Sequence, residues 1–203
     1  MDGLDVLQEM NPEHRTWVGG DSDDQALLGE LPDNLRSVIA SPAGFIFHHG
    51  AIHFRGCVSQ SEWHSLREAW HGERAFHRLY PGVFETDIPF AQDQMGDQYL
   101  LRGNEVFRLD AETGDVSRFA CDLETFLAGI ASDITEYLNV GFDHELPPGR
   151  LLHAHPPFCM AESGRGASLR AVPADELILF HADLARQIRD VPDGGKVTFT
   201  VTD

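Results

Sequence analysis

Lysine, cysteine and long apolar runs are what this sequence has least of. Lys196 is the only lysine among 15 basic residues, which stand against 33 Asp and Glu. The resulting net charge of −18 sets up a broad negative field that repels nucleic acid and anionic lipid and attracts cationic proteins. Direct DNA or RNA binding is therefore not expected, and the simplest effect of the acidity is solubility. The three cysteines, Cys57, Cys121 and Cys159, are odd in number and lack CxxC spacing. A disulfide framework or cysteine-rich zinc site is thus not expected, and they read as small buried or half-buried thiols. No run of about 18 apolar residues occurs, so no membrane-crossing helix is expected. The opening Met1-Asp2-Gly3-Leu4-Asp5 has neither the basic region nor the apolar core of a signal peptide, so the expected location is the cytoplasm.

Catalytic signatures are also scarce. There is no Gly-x-Ser-x-Gly elbow, no phosphate-binding Walker loop, no GxGxxG and no HExxH; Gly164-Arg165-Gly166 reads as a turn into a strand. The 11 histidines raise a metal hypothesis, with His48, His49 and His53 in one group and His153 and His155 in another. Alternation puts His153 and His155 on one face of a strand, where a third ligand would complete a zinc site. His64, His71 and His77, scattered among aromatics and arginines, read as surface or interface residues of a helical region. No cofactor or metal is assigned, and the chain is not read as an enzyme.

What is present is enough apolar surface for a core: 42% hydrophobic residues, 13 of them Phe. Residues 1–30 are acidic and weakly patterned and are expected to pack only locally. Leu31-Pro32-Asp33 opens a short helix whose apolar face is Leu35, Val38 and Ile39. Two short strands follow at Phe45–Phe47 and Gly50–Gly56. A second helix is expected from Ser59, where Ser59-Gln60-Ser61-Glu62 has capping-box spacing, with Trp63, Leu66 and Trp70 on one face. Gln98–Leu101, Glu105–Leu109 and Val116–Phe119, separated by turn residues, read as a three-stranded meander. Asp122 to Leu138 carries Leu123, Phe126, Leu127, Ile130, Ile134 and Leu138 at helical spacing. Strands are expected at Leu151–His155 and Ala167–Val172, a helix from Pro173 to Asp190, and a last strand at Lys196–Thr202.

Within this pattern, Ile88-Pro89-Phe90-Ala91-Gln92-Asp93-Gln94-Met95-Gly96-Asp97-Gln98-Tyr99-Leu100-Leu101 resembles the central signature of the Smi/Knr-like family of the SUKH superfamily. The strand around Val106, the Asp110-x-Glu112-Thr113-Gly114 turn and the Phe126-Leu127 helix follow in the family's order. The resemblance covers residues 28–140. It implies an α+β fold with a central mixed or antiparallel sheet and helices packed against it, with no catalytic residues to carry over. Residues 1–203 are expected to form a single such domain, with 141–203 a C-terminal extension packed on it.

The resemblance also implies a biology of binding. The leading expectation is an immunity protein that neutralises a cognate bacterial toxin, or another cationic protein, through an acidic surface. The alternatives are a regulatory or scaffold protein of the same fold and a metal-dependent enzyme. Asp93 and Asp97, if exposed together on their loop, would meet an Arg or Lys of the partner. Gly96-Asp97 also reads more simply as a turn in which Asp bonds local amides. Trp63, Trp70 and Tyr80 are the candidate aromatic anchors.

Overall fold

A computed structural model describes residues 15–60, 62–141, 145–192 and 194–196. Seven strands form one wholly antiparallel sheet in chain order: β1 (Arg15–Val18), β2 (Phe45–Phe47), β3 (Ile52–Phe54), β4 (Ile88–Asp93), β5 (Gln98–Arg102), β6 (Glu105–Leu109) and β7 (Val116–Ala120). With six helices, α1 (Gln25–Glu30), α2 (Asp33–Ile39), α3 (Leu66–His71), α4 (Phe76–Leu79), α5 (Leu123–Leu138) and α6 (Ala174–Ile188), it makes the α+β fold expected from the sequence.

Side-chain alternation divides the sheet into two chemically different faces. Phe45, Phe47, Ile52, Phe54, Phe90, Tyr99, Leu101 and Val106 share one core with α1, α2 and α5. Phe126 of α5 sits at its centre, with ring centroids 5.5 Å from Phe90 and 4.9 Å from Tyr99. The helical spacing of Leu123, Phe126, Leu127, Ile130, Ile134 and Leu138 buries all six. Asp122 starts the helix by accepting a 2.7 Å bond from the Thr125 amide, and Asn139 ends it in the left-handed conformation.

The opposite face carries an apolar half and a polar half. Leu100, Phe107, Leu109 and Val116 pack with Phe76, Tyr80 and Val83 and with Ala182 and Ala185 of α6. Cross-strand register then places Ile46, His53, Gln92, Gln98 and Leu109 directly opposite one another in a row across five strands. Three adjacent members of that row are polar, and they lie behind the candidate site.

Residues 15–30 pack across the molecule instead of only locally. β1 pairs with β2, and Leu27 of α1 is fully buried in the main core. Asp24 caps α1 by accepting from the Leu27 amide and also binds Arg67 of α3, linking two elements far apart in sequence. The helix expected from Ser59 begins at Leu66. Ser59 donates its amide and hydroxyl to Asp23, while Ser65 supplies the cap to Glu68, a second Ser-x-x-Glu spacing six residues on. The meander gains a strand, β4, ahead of the three expected.

The tail forms a separate two-stranded ladder, β8 (Arg150–His155) with β9 (Ser168–Pro173), followed by α6. Hydrogen bonds tie the ladder and the segment between its strands to turns of the sheet: the Leu152 amide donates to Gln94 O over 2.8 Å, and the Cys159 amide to Glu112 over 2.7 Å. The strand expected at Lys196–Thr202 lies outside the described residues beyond Lys196 itself.

Candidate functional site

Four separate parts of the chain build a cavity of about 410 Å³ over the polar half of the sheet. Arg55, following β3, lies at its inner side; Glu62 and Trp63 come from the loop before α3; Glu68 and Ala69 come from α3, Glu73 and Arg74 from the turn after it, and Phe76 from the start of α4. Asp175, Ile178 and Leu179 of α6 close the remaining wall, so the C-terminal part of the chain supplies one side. Trp63, Phe76, Ile178 and Leu179 give the cavity an apolar lining. Glu62, Glu68, Glu73 and Asp175 are all exposed and, outnumbering the exposed Arg74, give its rim a net negative charge.

Arg55 shares the face of His53 because the two are separated by one residue in an extended chain. It is 2% exposed. Its Nη1 donates to Pro89 O (2.9 Å), and its Nη2 to Gln92 Oε1 (2.6 Å) and Gln98 Oε1 (2.7 Å). The Phe76 ring lies 5.2 Å from the guanidinium carbon. Among the described residues no carboxylate pairs with it, and burial lowers its pKa to about 9, leaving it charged at neutral pH. A guanidinium has five N–H donors. Three are used here.

Behind Arg55 a chain of buried hydrogen bonds crosses the sheet. Gln92 Nε2 lies 3.3 Å from His53 Nδ1, His53 Nε2 lies 2.7 Å from His64 Nδ1, and His64 Nε2 lies 2.6 Å from Ala43 O. Burial holds His53 well below the ordinary imidazole range and lowers His64 to about 4. Glycines make room for His64: a Cβ on Gly56 would sit 2.3 Å from Ala43 O and 2.7 Å from His64 Nε2. Trp63 packs over this chain, with ring centroids 5.1 Å from His53, 5.2 Å from His64 and 5.3 Å from Trp17.

The other residues singled out in the sequence fall elsewhere. Asp93 and Asp97 are buried, 1% and 7% exposed, which corrects the expectation of a surface pair. Asp93 Oδ1 accepts from the amides of Met95 (2.9 Å) and Asp97 (3.1 Å), closing the β4–β5 turn. Asp97 accepts from the Ala111 amide (2.8 Å) and from Arg108 Nε (2.8 Å), tying that turn to the β6–β7 turn. Burial raises both carboxyls, and the neighbouring Asp97 charge raises Asp93 further against the lowering effect of Arg108. Both carboxylates bond local amides, the arrangement described by the simpler reading of Gly96-Asp97.

Tyr80 is 1% exposed and donates its hydroxyl to Ala111 O over 3.1 Å, so it is an interior residue and no surface anchor. Trp70 packs against the main core and donates Nε1 to Glu85 O over 2.9 Å, away from the cavity. Of the aromatic candidates, Trp63 alone lines it. His153 is half-buried against Phe180, with ring centroids 4.9 Å apart, His155 is exposed, and His48 and His49 lie in the β2–β3 turn. Among the described residues no three His, Cys, Asp or Glu side chains converge in a group able to hold a metal ion.

Arg55, Phe76, Glu68, Glu73 and Asp175 were not legible as site residues. The one sequence signal was the alternation Ile52-His53-Phe54-Arg55, which places two polar residues on the face that a buried strand reserves for apolar ones. No family model, curated protein or solved structure matches the chain.

Proposed function

We propose that this chain is a protein-binding module of the Smi/Knr-like type that captures a cationic partner, in the manner of an immunity protein covering a basic toxin. The observation that carries this reading is the cavity walled by Trp63 and Phe76 and ringed by the exposed Glu62, Glu68, Glu73 and Asp175. A lysine or arginine of the partner gains there from the carboxylates and from the aromatic faces together. The net charge of −18 adds long-range attraction. Trp63 supplies a half-buried aromatic of the kind that dominates binding energy at interfaces, while the carboxylates set orientation and encounter rate.

The test is the association rate with the product of the adjacent gene, measured by stopped flow at rising ionic strength. Steered association slows by tenfold or more between low and physiological salt. A rate that does not change with salt contradicts the electrostatic basis of the reading.

A further inference from the structure

The acid-ringed cavity has a cation at its inner side, and that combination is selective. Simple anions meet a rim on which Glu62, Glu68, Glu73 and Asp175 outnumber Arg74 before they reach Arg55, and simple cations that pass this rim meet the buried guanidinium. Arg55 is almost wholly buried, its charge has no carboxylate partner among the described residues, and its fork retains two N–H donors beyond the three used by Pro89, Gln92 and Gln98. A buried guanidinium in this state gains most from a carboxylate, the acceptor its geometry fits. The arrangement is complementary to a ligand whose two ends differ in sign.

We infer that the cavity binds a carboxylate attached to a cationic body, with the carboxylate on Arg55 and the cationic end among Glu62, Glu68, Glu73 and Asp175. An arginine or lysine with a free carboxylate has this form, and its methylenes would lie against Trp63, Phe76 and Ile178. The volume of about 410 Å³ is within the range of small-ligand sites. Two sources present the same chemistry: a free basic amino acid and a polypeptide ending in a basic residue. The inference rests on the binding reading above for the role of this cavity and names the group that enters it.

The experiment titrates the full chain by calorimetry with four probes: L-arginine, agmatine, the tripeptide Gly-Gly-Arg and its C-terminal amide. Agmatine keeps the guanidinium and lacks the carboxylate. The expected result is that at least one of L-arginine and Gly-Gly-Arg binds, and at least tenfold more tightly than its carboxylate-free counterpart. Binding of L-arginine but not Gly-Gly-Arg identifies the free amino acid, and binding of Gly-Gly-Arg alone identifies a chain terminus. Asp175→Asn and Glu73→Gln, both at exposed positions, should weaken the same probes severalfold, and Arg55→Met should abolish their binding. If Arg55→Met does not fold, the matched probe pairs still decide the matter. Equal affinity within each pair, or no binding by any probe at millimolar concentration, overturns the inference. Because no partner protein is needed, either result is separable from failure of the toxin-binding reading.

Discussion

His53 donates through Nε2 to His64 Nδ1 across 2.7 Å, and the direction of that bond is fixed by its surroundings. Ala43 O can only accept, so His64 Nε2 carries the proton and His64 Nδ1 must accept. His53 Nδ1 is then left to accept from the Gln92 amide, whose oxygen faces Arg55 Nη2. Every bond in the chain is satisfied with both imidazoles neutral. A proton on either ring would set two donors against each other.

This makes acid sensitivity a direct consequence of the sheet register. His64 has a folded pKa of about 4 against 6.5 for the free side chain, so the unfolded chain takes up the proton first as pH falls. Its contribution is fully present above pH 6.5, is lost as pH falls, and has gone near pH 4, amounting to at most about 3 kcal/mol. Urea unfolding of the native chain and of His64→Gln at pH 7.5, 5.5 and 4.5 checks this. The variant should be less stable at pH 7.5, with the difference shrinking toward pH 4.5. Parallel stability profiles would contradict the assignment.

Asp97→Asn should destabilise by about 2–3 kcal/mol, less than the loss typical of a fully buried pair because the Arg108 side chain is 30% exposed. The amide oxygen can still accept from Ala111, but the amide nitrogen then faces the Arg108 donors, so the loss combines the charge with the hydrogen bonds to Arg108. Chemical denaturation at pH 7 provides the value. A change below about 0.5 kcal/mol, the usual scale of a surface substitution, would place the pair outside the stabilising interactions.

His181 on α6 is the converse case. It is 1% exposed, both ring nitrogens lack a hydrogen-bond partner among the described residues, and burial lowers its pKa to about 4. An unsatisfied buried polar group costs about 1–3 kcal/mol, so His181→Leu should stabilise the fold by about 1 kcal/mol at pH 7. Because protonation is also disfavoured in the folded state, the gain should grow between pH 6.5 and 4. Thermal unfolding across that range checks both parts; destabilisation by the leucine would indicate that the imidazole makes a bond that the geometry here does not assign.

The elements most legible in the sequence were those whose pattern is local. The six apolar residues of α5 and the Asp122 cap specify its length and buried face without reference to the rest of the chain, and Arg102-Gly103-Asn104 specifies the β5–β6 turn. What was hidden depends on meetings between distant residues. β1 and α1 draw their stability from β2 and Arg67, and Asp93 and Asp97 are interior because Ala111 and Arg108 come to meet them. The cavity joins Arg55, Trp63, Phe76 and Asp175, spread over some 120 residues of chain, and only strand register and the packing of α6 bring them together. Trp63 was visible as a candidate because its size alone flags it; Arg55 resembled any polar residue ending a strand.

The acid-ringed cavity is the surface proposed to meet a cationic partner. The most direct measurement is co-expression with the adjacent gene's product, scoring complex formation and rescue of growth, for the native chain and for the combined Glu62→Gln, Glu68→Gln and Glu73→Gln variant. These three side chains are exposed, so the fold should persist, as circular dichroism would verify. The native chain should bind and rescue, while the triple variant should bind at least tenfold more weakly and fail to rescue. Equal binding and rescue by both chains, or no binding by the native chain to a neighbour shown to be folded and toxic, would contradict it.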